Sequence, residues 1–330
     1  MKIKKEYIIL VLVIVVLSVY LYKRSADRTL YELPQIPQVN DKELTKLEIT
    51  RGETVIVLNK KDDQWYIAPA GYSTDAGKIK DMLDAIKGFS VTALVSESKN
   101  YNLYELDEEQ KINVKASQGD NLKLDIDVGK TASSFRHTFV RPSGEDRVFH
   151  AQGNLKNAFD VTVDSLRDKT VLSLKTTEIQ QLNINKDQQS LAFTRTQVPV
   201  EVTSPDANKN TEAAAPAPTP APKQVWQAAS GQPVNESAII QLLNALAGLR
   251  CEKFIDDRKK EDFQSPLFTI ALKGAQDYHL SIFPKAAEND SNYPAVSSGS
   301  DYPFELATSQ AERIMKDPSA LLQAPKTDPK

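Results

Sequence analysis

The 330-residue sequence reads as an α+β protein: an N-terminal transmembrane helix followed by two tandem repeats, each a mostly antiparallel sheet with one principal helix packed on it. Three observations predict this. Residues 75–96, DAGKIKDMLDAIKGFSVTALVS, return as residues 235–256, NESAIIQLLNALAGLRCEKFID, at a constant offset of 160 residues without a gap. Around each copy, apolar and polar residues alternate in short runs separated by turn residues, the period of half-buried strands. Ahead of both copies stands an uncharged apolar run.

In the duplicated stretch Ile79 meets Ile239, Leu83 meets Leu243, Ala85 meets Ala245 and Gly88 meets Gly248. Ile79, Met82, Leu83 and Ile86 follow the i, i+3, i+4, i+7 spacing of a helix with one buried face. Asp75 and Asn235 supply N-cap acceptors, and the two glycines are expected to end the helices in the left-handed C′ conformation. This is the pattern of a core helix rather than of an active site.

Length and repeat together give two related domains. A formal charge of −3 with both signs interspersed leaves no basic stripe, which argues against nucleic acid. Cys251 is the sole cysteine; it excludes an intrachain disulfide, and its repeat partner Val91 marks it as a small buried hydrophobe.

Residues 1–24, MKIKKEYIILVLVIVVLSVYLYKR, form the anchor, with the apolar run at positions 7–22 between Lys2, Lys4, Lys5 and Lys23, Arg24. Sixteen residues span about 24 Å against a ~30 Å hydrocarbon core, and the terminal tyrosines and flanking lysines extend the reach to the interface. The run ends in Tyr20, Leu21 and Tyr22 rather than small residues, so an uncleaved signal-anchor is expected. That makes a single-pass inner-membrane protein with the bulk of the chain periplasmic or otherwise extracytoplasmic. Residues 25–43 are an extended spacer, since Pro34 and Pro37 bar a helix.

The first repeat covers 44–175. Leu44, Leu47 and Ile49, then 55–58, then Trp65 to Ile67 read as a three-stranded meander leading into the helix. After the helix come the alternating runs 112–116 and 122–128, a hairpin from Phe135 to His150 through PSGED, and a short closing helix at Leu166. The second repeat covers 176–322. Ile179, Leu182, Ile184, Leu191, Phe193 and Trp226 repeat the meander, and 268–272 with 278–282 repeat the runs 112–116 and 122–128. The two tryptophans thus read as core anchors. A Pro/Ala-rich insertion at about 197–223, containing AAAPAPTPAP, is expected to be a disordered hairpin-tip loop. The last hairpin, around Tyr293 to Val296 and Phe304 to Leu306 with a helix through Ile314, reads as a weaker, degenerate copy, and 323–330 as a tail.

Chemistry-bearing patterns are few. A hairpin turning about Ser143–Gly144 would set His137 and His150 nearly opposite one another, a geometry that could start a metal site, but spacing suggests no third ligand and a solvated cross-strand pair is the simpler reading. Gly129-Lys130-Thr131 ends like a phosphate loop but lacks the upstream glycine and does not open a helix. No catalytic, cofactor-binding or metal-ligating residue is assigned.

LTKLEI at 44–49, DQWYIAPA at 63–70, the helix DAGKIKDMLDAI, YEL at 104–106, DVGK at 127–130 and LRDKTVLSL at 166–174 resemble the bacterial family known as domain of unknown function 4340 (DUF4340), over about 44–322. The resemblance implies a membrane-anchored, non-enzymatic accessory that accompanies ABC-type export systems of the gliding-motility type, with the cytoplasmic membrane and subunits of such a complex as partners and no cofactor. The competing expectation is an envelope hydrolase or metal-binding protein using the His137/His150 hairpin.

Overall fold

The computed structural model describes residues 5–26, 31–187, 189–198, 223–287 and 289–323, in two compact units, Met1–Asp168 and Lys169–Lys330. The described chain is rich in antiparallel sheet and has few helices.

In the first unit, helix α1 runs Lys5–Ala26. Its side chains are described for residues 10–21, and all are exposed. No helix among the described residues is long and apolar enough to cross a membrane. The meander then appears as β1 (Lys46–Arg51), β2 (Thr54–Lys61) and β3 (Gln64–Ala68), with a short β4 (Tyr72–Ser73). Helix α2 (Ala76–Lys87) and strand β5 (Val91–Ser96) follow. Strands β6 (Ile112–Gln118), β7 (Asn121–Thr131), β8 (His137–Pro142) and β9 (Val148–Gln152) lead to the short helices α3 (Leu155–Phe159) and α4 (Val163–Leu166). The sheet order is β4-β3-β2-β1-β6-β7-β8-β9-β5, so β5 passes beyond the hairpins to close the far edge on β9. Met82 and Ile86 of α2, both almost fully buried, join Leu47, Leu58 and Val114 in the core. Burying a side chain of that size contributes roughly 1.5–3 kcal/mol, which is why the apolar stripe rather than helix propensity fixes α2 in place.

The second unit contains β10 (Thr170–Ser173), β11 (Gln181–Lys186), β12 (Gln189–Val198), β13 (Lys223–Ala228) and α5 (Glu236–Leu246). There follow β14 (Gly248–Arg250), β15 (Lys253–Phe254), β16 (Phe268–Lys273), β17 (Asp277–Ile282), β18 (Asn292–Ser297), β19 (Phe304–Ala307) and α6 (Thr308–Ile314). Its main sheet has the order β13-β12-β11-β16-β17-β18-β19-β15, and β10 pairs separately with β14. Strand for strand, β3-β2-β1-β6-β7-β8-β9-β5 is repeated.

Registers repeat as well. Leu47 faces Leu58 and Leu182 faces Phe193; Leu94 faces Phe149 and Phe254 faces Phe304. Trp65 and Trp226 are both buried in their cores. The last hairpin of the second unit is complete, with Phe304, Leu306 and Ile314 all buried, because the inward positions stayed apolar while the outward ones became polar.

Several expectations need correction. The chain divides at 168/169 rather than 175/176, since β10 pairs with Gly248 to Arg250 of the second unit. The segment taken as spacer is part of the first unit: Val39 is buried, and Leu33 and Ile36 pack on the same core. Their spacing of three is the repeat of an extended polyproline-type chain, which sets all three on one side. Gly88 ends α2 at φ −84°, with its N–H bonded to the Asp84 carbonyl at 2.9 Å, and Gly248 opens β14, so neither takes the left-handed cap. β12 and β13 pair out to Val198 and Lys223, so Gln197, Val198 and Lys223 belong to strands. The rest of the expected insertion, 199–222, and the tail beyond Gln323 lie outside the described residues.

Candidate functional site

Strand alternation places Ile126 and Val128 of β7 in the core and turns Asp127 to the opposite face of the sheet. Register sets Asp127 between Asn113 of β6 and Arg141 of β8. Asp127 is only 8% exposed, and both of its carboxylate oxygens accept hydrogen bonds. Arg141 gives Nε and Nη2 to Oδ2 at 3.1 and 2.5 Å, and Asn113 gives Nδ2 to Oδ1 at 2.9 Å. Lys111 Nζ lies 3.6 Å away. Asn113 also donates to Asp125, whose other oxygen lies 3.9 Å from Lys115. Burial is the largest single influence on Arg141 and works against its charged form, but the hydrogen bonds to Asp127 and Tyr101 and the Asp127 charge together outweigh it, so the guanidinium is held above its usual pKa.

These groups floor a hollow of about 620 Å³, whose rim is made by Glu108, Pro142, Ser143, Glu145 and Asp146. Three cations and five carboxylates line it. Tyr101 closes one side: its ring lies 4.4 Å from the Arg141 guanidinium carbon and its hydroxyl donates to the Asp146 carbonyl. Tyr101 sits on a 3-10 turn, Tyr101–Tyr104, clamped against β7. A Cβ on Gly129 would stand 2.2 Å from the Tyr104 carbonyl oxygen and 2.9 Å from Leu106 Cγ, so only glycine allows this approach. YEL and DVGK, which carry the family resemblance, meet at this contact.

The cluster occurs once although the unit occurs twice. In the second unit Ser281 takes the place of Asp127, between Thr269 and Val296. Phe283 follows as Gly129 does, and packs on Phe263 at 5.3 Å. The fold is therefore built without the buried ion pair, and a buried ion pair is weak as a source of stability in any case.

His137 and His150 are not directly opposite. Register pairs His137 with Gln152 and Phe139 with His150, so the histidines are diagonal neighbours with ring centroids 5.4 Å apart and planes inclined by 27°. Stacked rings direct their nitrogens side by side instead of converging them on one point about 2 Å from each, as a metal ion requires. Phe139 and Tyr104 extend the row of rings, at 4.8 Å from His150 and 4.9 Å from Phe139 respectively. Burial first and the His137 charge second lower the pKa of His150. At the equivalent pair of the second unit, Asn292 donates to Glu305 at 3.0 Å. The place holds a cross-strand polar pair in both copies. Among the described residues no group of three or more His, Cys, Asp or Glu side chains could hold a metal ion.

Sequence reasoning missed the hollow. There DVGK enters only among the residues that carry the family resemblance. The available signal was the alternation of Asn113, Lys115, Asp125, Asp127 and Arg141 on three strands whose equivalents in the second repeat are mostly uncharged.

Fold and site together define a duplicated sheet-and-helix protein with a charged hollow on one copy. The chain belongs to the family described as Domain of unknown function (DUF4340), whose family model matches residues 65–266. That match spans the hollow and runs from the first unit into the second, within the wider 44–322 expected from motifs. No curated protein and no solved structure matches the chain.

Proposed function

We propose that this protein is a membrane-tethered, extracytoplasmic, non-enzymatic accessory of an ABC-type envelope transport assembly, and that the charged hollow on its first unit reads a partner subunit. The observation that carries this reading is the Asp127/Asn113/Arg141 cluster, present in one copy of a duplicated fold and replaced by Ser281/Thr269/Val296 in the other. A fold that is complete without a set of buried charges keeps them for specificity, of which setting register is the best-attested form. Complementary charge at an interface sets partner choice more than raw affinity.

The tether is supported by α1. Along it Leu10 to Leu17 and Val19 to Leu21 leave apolar and aromatic side chains exposed, the kind of surface that marks contact with a membrane or a partner. Transport association and extracytoplasmic placement rest on the family resemblance. The competing hydrolase or metal-site reading depends on His137 and His150, whose stacked geometry weighs against it.

The test is affinity purification of the full chain from detergent-solubilised membranes of its native host. Permease and ATPase subunits co-purifying in defined ratio support the proposal. Recovery of the chain alone after mild solubilisation and cross-linking contradicts it.

A further inference from the structure

The second unit contains a cavity of about 350 Å³ between α5 and the segment from α6 to a 3-10 turn, Pro318–Leu321. Its floor is apolar, made by Ile184, Leu242, Ala245, Ile314 and Leu321, and its mouth carries Arg313 and Lys316. That volume falls within the range of small-molecule sites, ~300–1,000 Å³.

Comparison with the first unit shows that the fold does not require this opening. Gln152 and Ala307 are equivalent ends of β9 and β19, facing His137 and Asn292. Counting on from them, Ala158, Phe159 and Val161 correspond to Arg313, Ile314 and Lys316. The count stays in step through Leu166 and Leu321, whose carbonyls each receive the N–H of the helix-capping residue, Asp75 or Asn235. Ala158 and Val161 pack against their own core, and Phe159 is fully buried. In the second unit a phenylalanine has become isoleucine and two core-facing apolar residues have become exposed cations. The exchange opens an apolar space and charges its entrance positively in the same three positions.

The one carboxylate at the mouth is already engaged. Asp317 Oδ1 accepts from Ser319 N–H at 2.8 Å, and the Ser319 side chain first and this backbone hydrogen bond second hold the carboxyl below its ordinary pKa. Among the described residues neither Arg313 nor Lys316 forms an ion pair, and both are exposed.

We propose that this cavity binds a single-chain anionic amphiphile, an alkyl carboxylate of the fatty-acid class. Its chain lies on Leu242, Ala245 and Ile314, and its carboxylate sits between Arg313 and Lys316. An apolar floor takes the chain by the hydrophobic effect, and paired cations select the head group by charge. The site stands apart from the charged hollow and does not depend on the transport reading.

The experiment uses the full chain in zwitterionic nanodiscs and a diazirine-bearing dodecanoate as probe, with adducts mapped by peptide mass spectrometry. The expected result is adducts on peptides of α5 and α6, removed by excess dodecanoate and not by dodecyltrimethylammonium. R313E/K316E is expected to reduce those adducts at least fivefold while labelling of α1 is unchanged, and A245F to do the same by filling the floor. Both cations are exposed, so the melting midpoint of R313E/K316E should match the parent; if it falls, R313Q/K316Q takes its place in the comparison. Adducts confined to α1, equal competition by the cationic amphiphile, or labelling indifferent to the cation variants would each overturn the proposal.

Discussion

Asp75 and Asn235 hold the same place in two copies of one structure. Each caps the principal helix of its unit, and each sends its backbone N–H to a leucine carbonyl of the closing segment, Leu166 or Leu321, at 2.8 Å. The residue before each makes an isolated bridge to that segment, Thr74 to Arg167 and Val234 to Leu322. A helix cap and a tertiary latch are thus combined at one residue, twice.

If the two caps are equivalent, removing either side-chain acceptor should cost a similar amount. Asp75 accepts from Gly77 and Lys78 N–H, and Asn235 accepts from Ala238 N–H. Asp75→Ala and Asn235→Ala are each expected to lower stability by about 1 kcal/mol in urea unfolding. A cap that costs nothing in one unit would break the equivalence.

Two glycines in the chain should behave oppositely. Gly129→Ala drives a Cβ into the Tyr104 carbonyl, so the 101–106 segment must move; a loss of roughly 1–3 kcal/mol is expected. Gly248→Ala meets nothing within 4 Å and should change stability by under ~0.5 kcal/mol. Comparable melting midpoints for the two variants would contradict the close-approach account.

The sequence displayed what repeats and concealed what does not. Ile79, Leu83 and their partners Ile239 and Leu243 were legible because a buried helix face constrains residue type at every turn, and the strands were legible from their alternation. Gly88 was misread because a helix can also end through a tightened last turn, which sequence does not distinguish from a left-handed cap. The spacer was misread because Leu33, Ile36 and Val39 belong to neither the helical nor the strand period. His137 and His150 were placed on the correct strands one pairing step out of register, since the turn after Pro142 fixes that step and its length is ambiguous in sequence. The hollow was missed because it is assembled from polar residues spread over three strands, whose only signal is a shared alternation that becomes meaningful once the strands are paired.

His150 gives a pH signature with a definite sign. Its folded pKa lies below the ordinary value near 6.5, so the unfolded chain takes up the proton first. The stability tied to the neutral ring is whole above about pH 6.5 and is lost as pH falls through the window between that value and the lower folded one. The melting midpoint of the parent should therefore drop more between about pH 7.5 and 5 than that of His150→Gln. An equal drop in both would remove His150 as the cause.

Deletion of residues 1–24 should release a folded, soluble protein, because the strands and helices of both units turn their apolar side chains into their own cores. Fractionation of the truncated chain with the membrane after a carbonate wash would show that a second attachment exists.

The account rests on the charged hollow being kept for recognition and not for folding, and one variant separates the two. N113T/D127S/R141V writes the residues of the second unit into the first. Removing Arg141 alone strands the Asp127 carboxylate and should cost about 1.5–3 kcal/mol, whereas replacing all three members should be close to neutral. The decisive measurement is quantitative co-purification of permease and ATPase subunits with this triple variant, alongside its melting midpoint. An unchanged midpoint with co-purification reduced tenfold or more is the predicted result; partner recovery equal to the parent's, or a collapse of the fold, would contradict it.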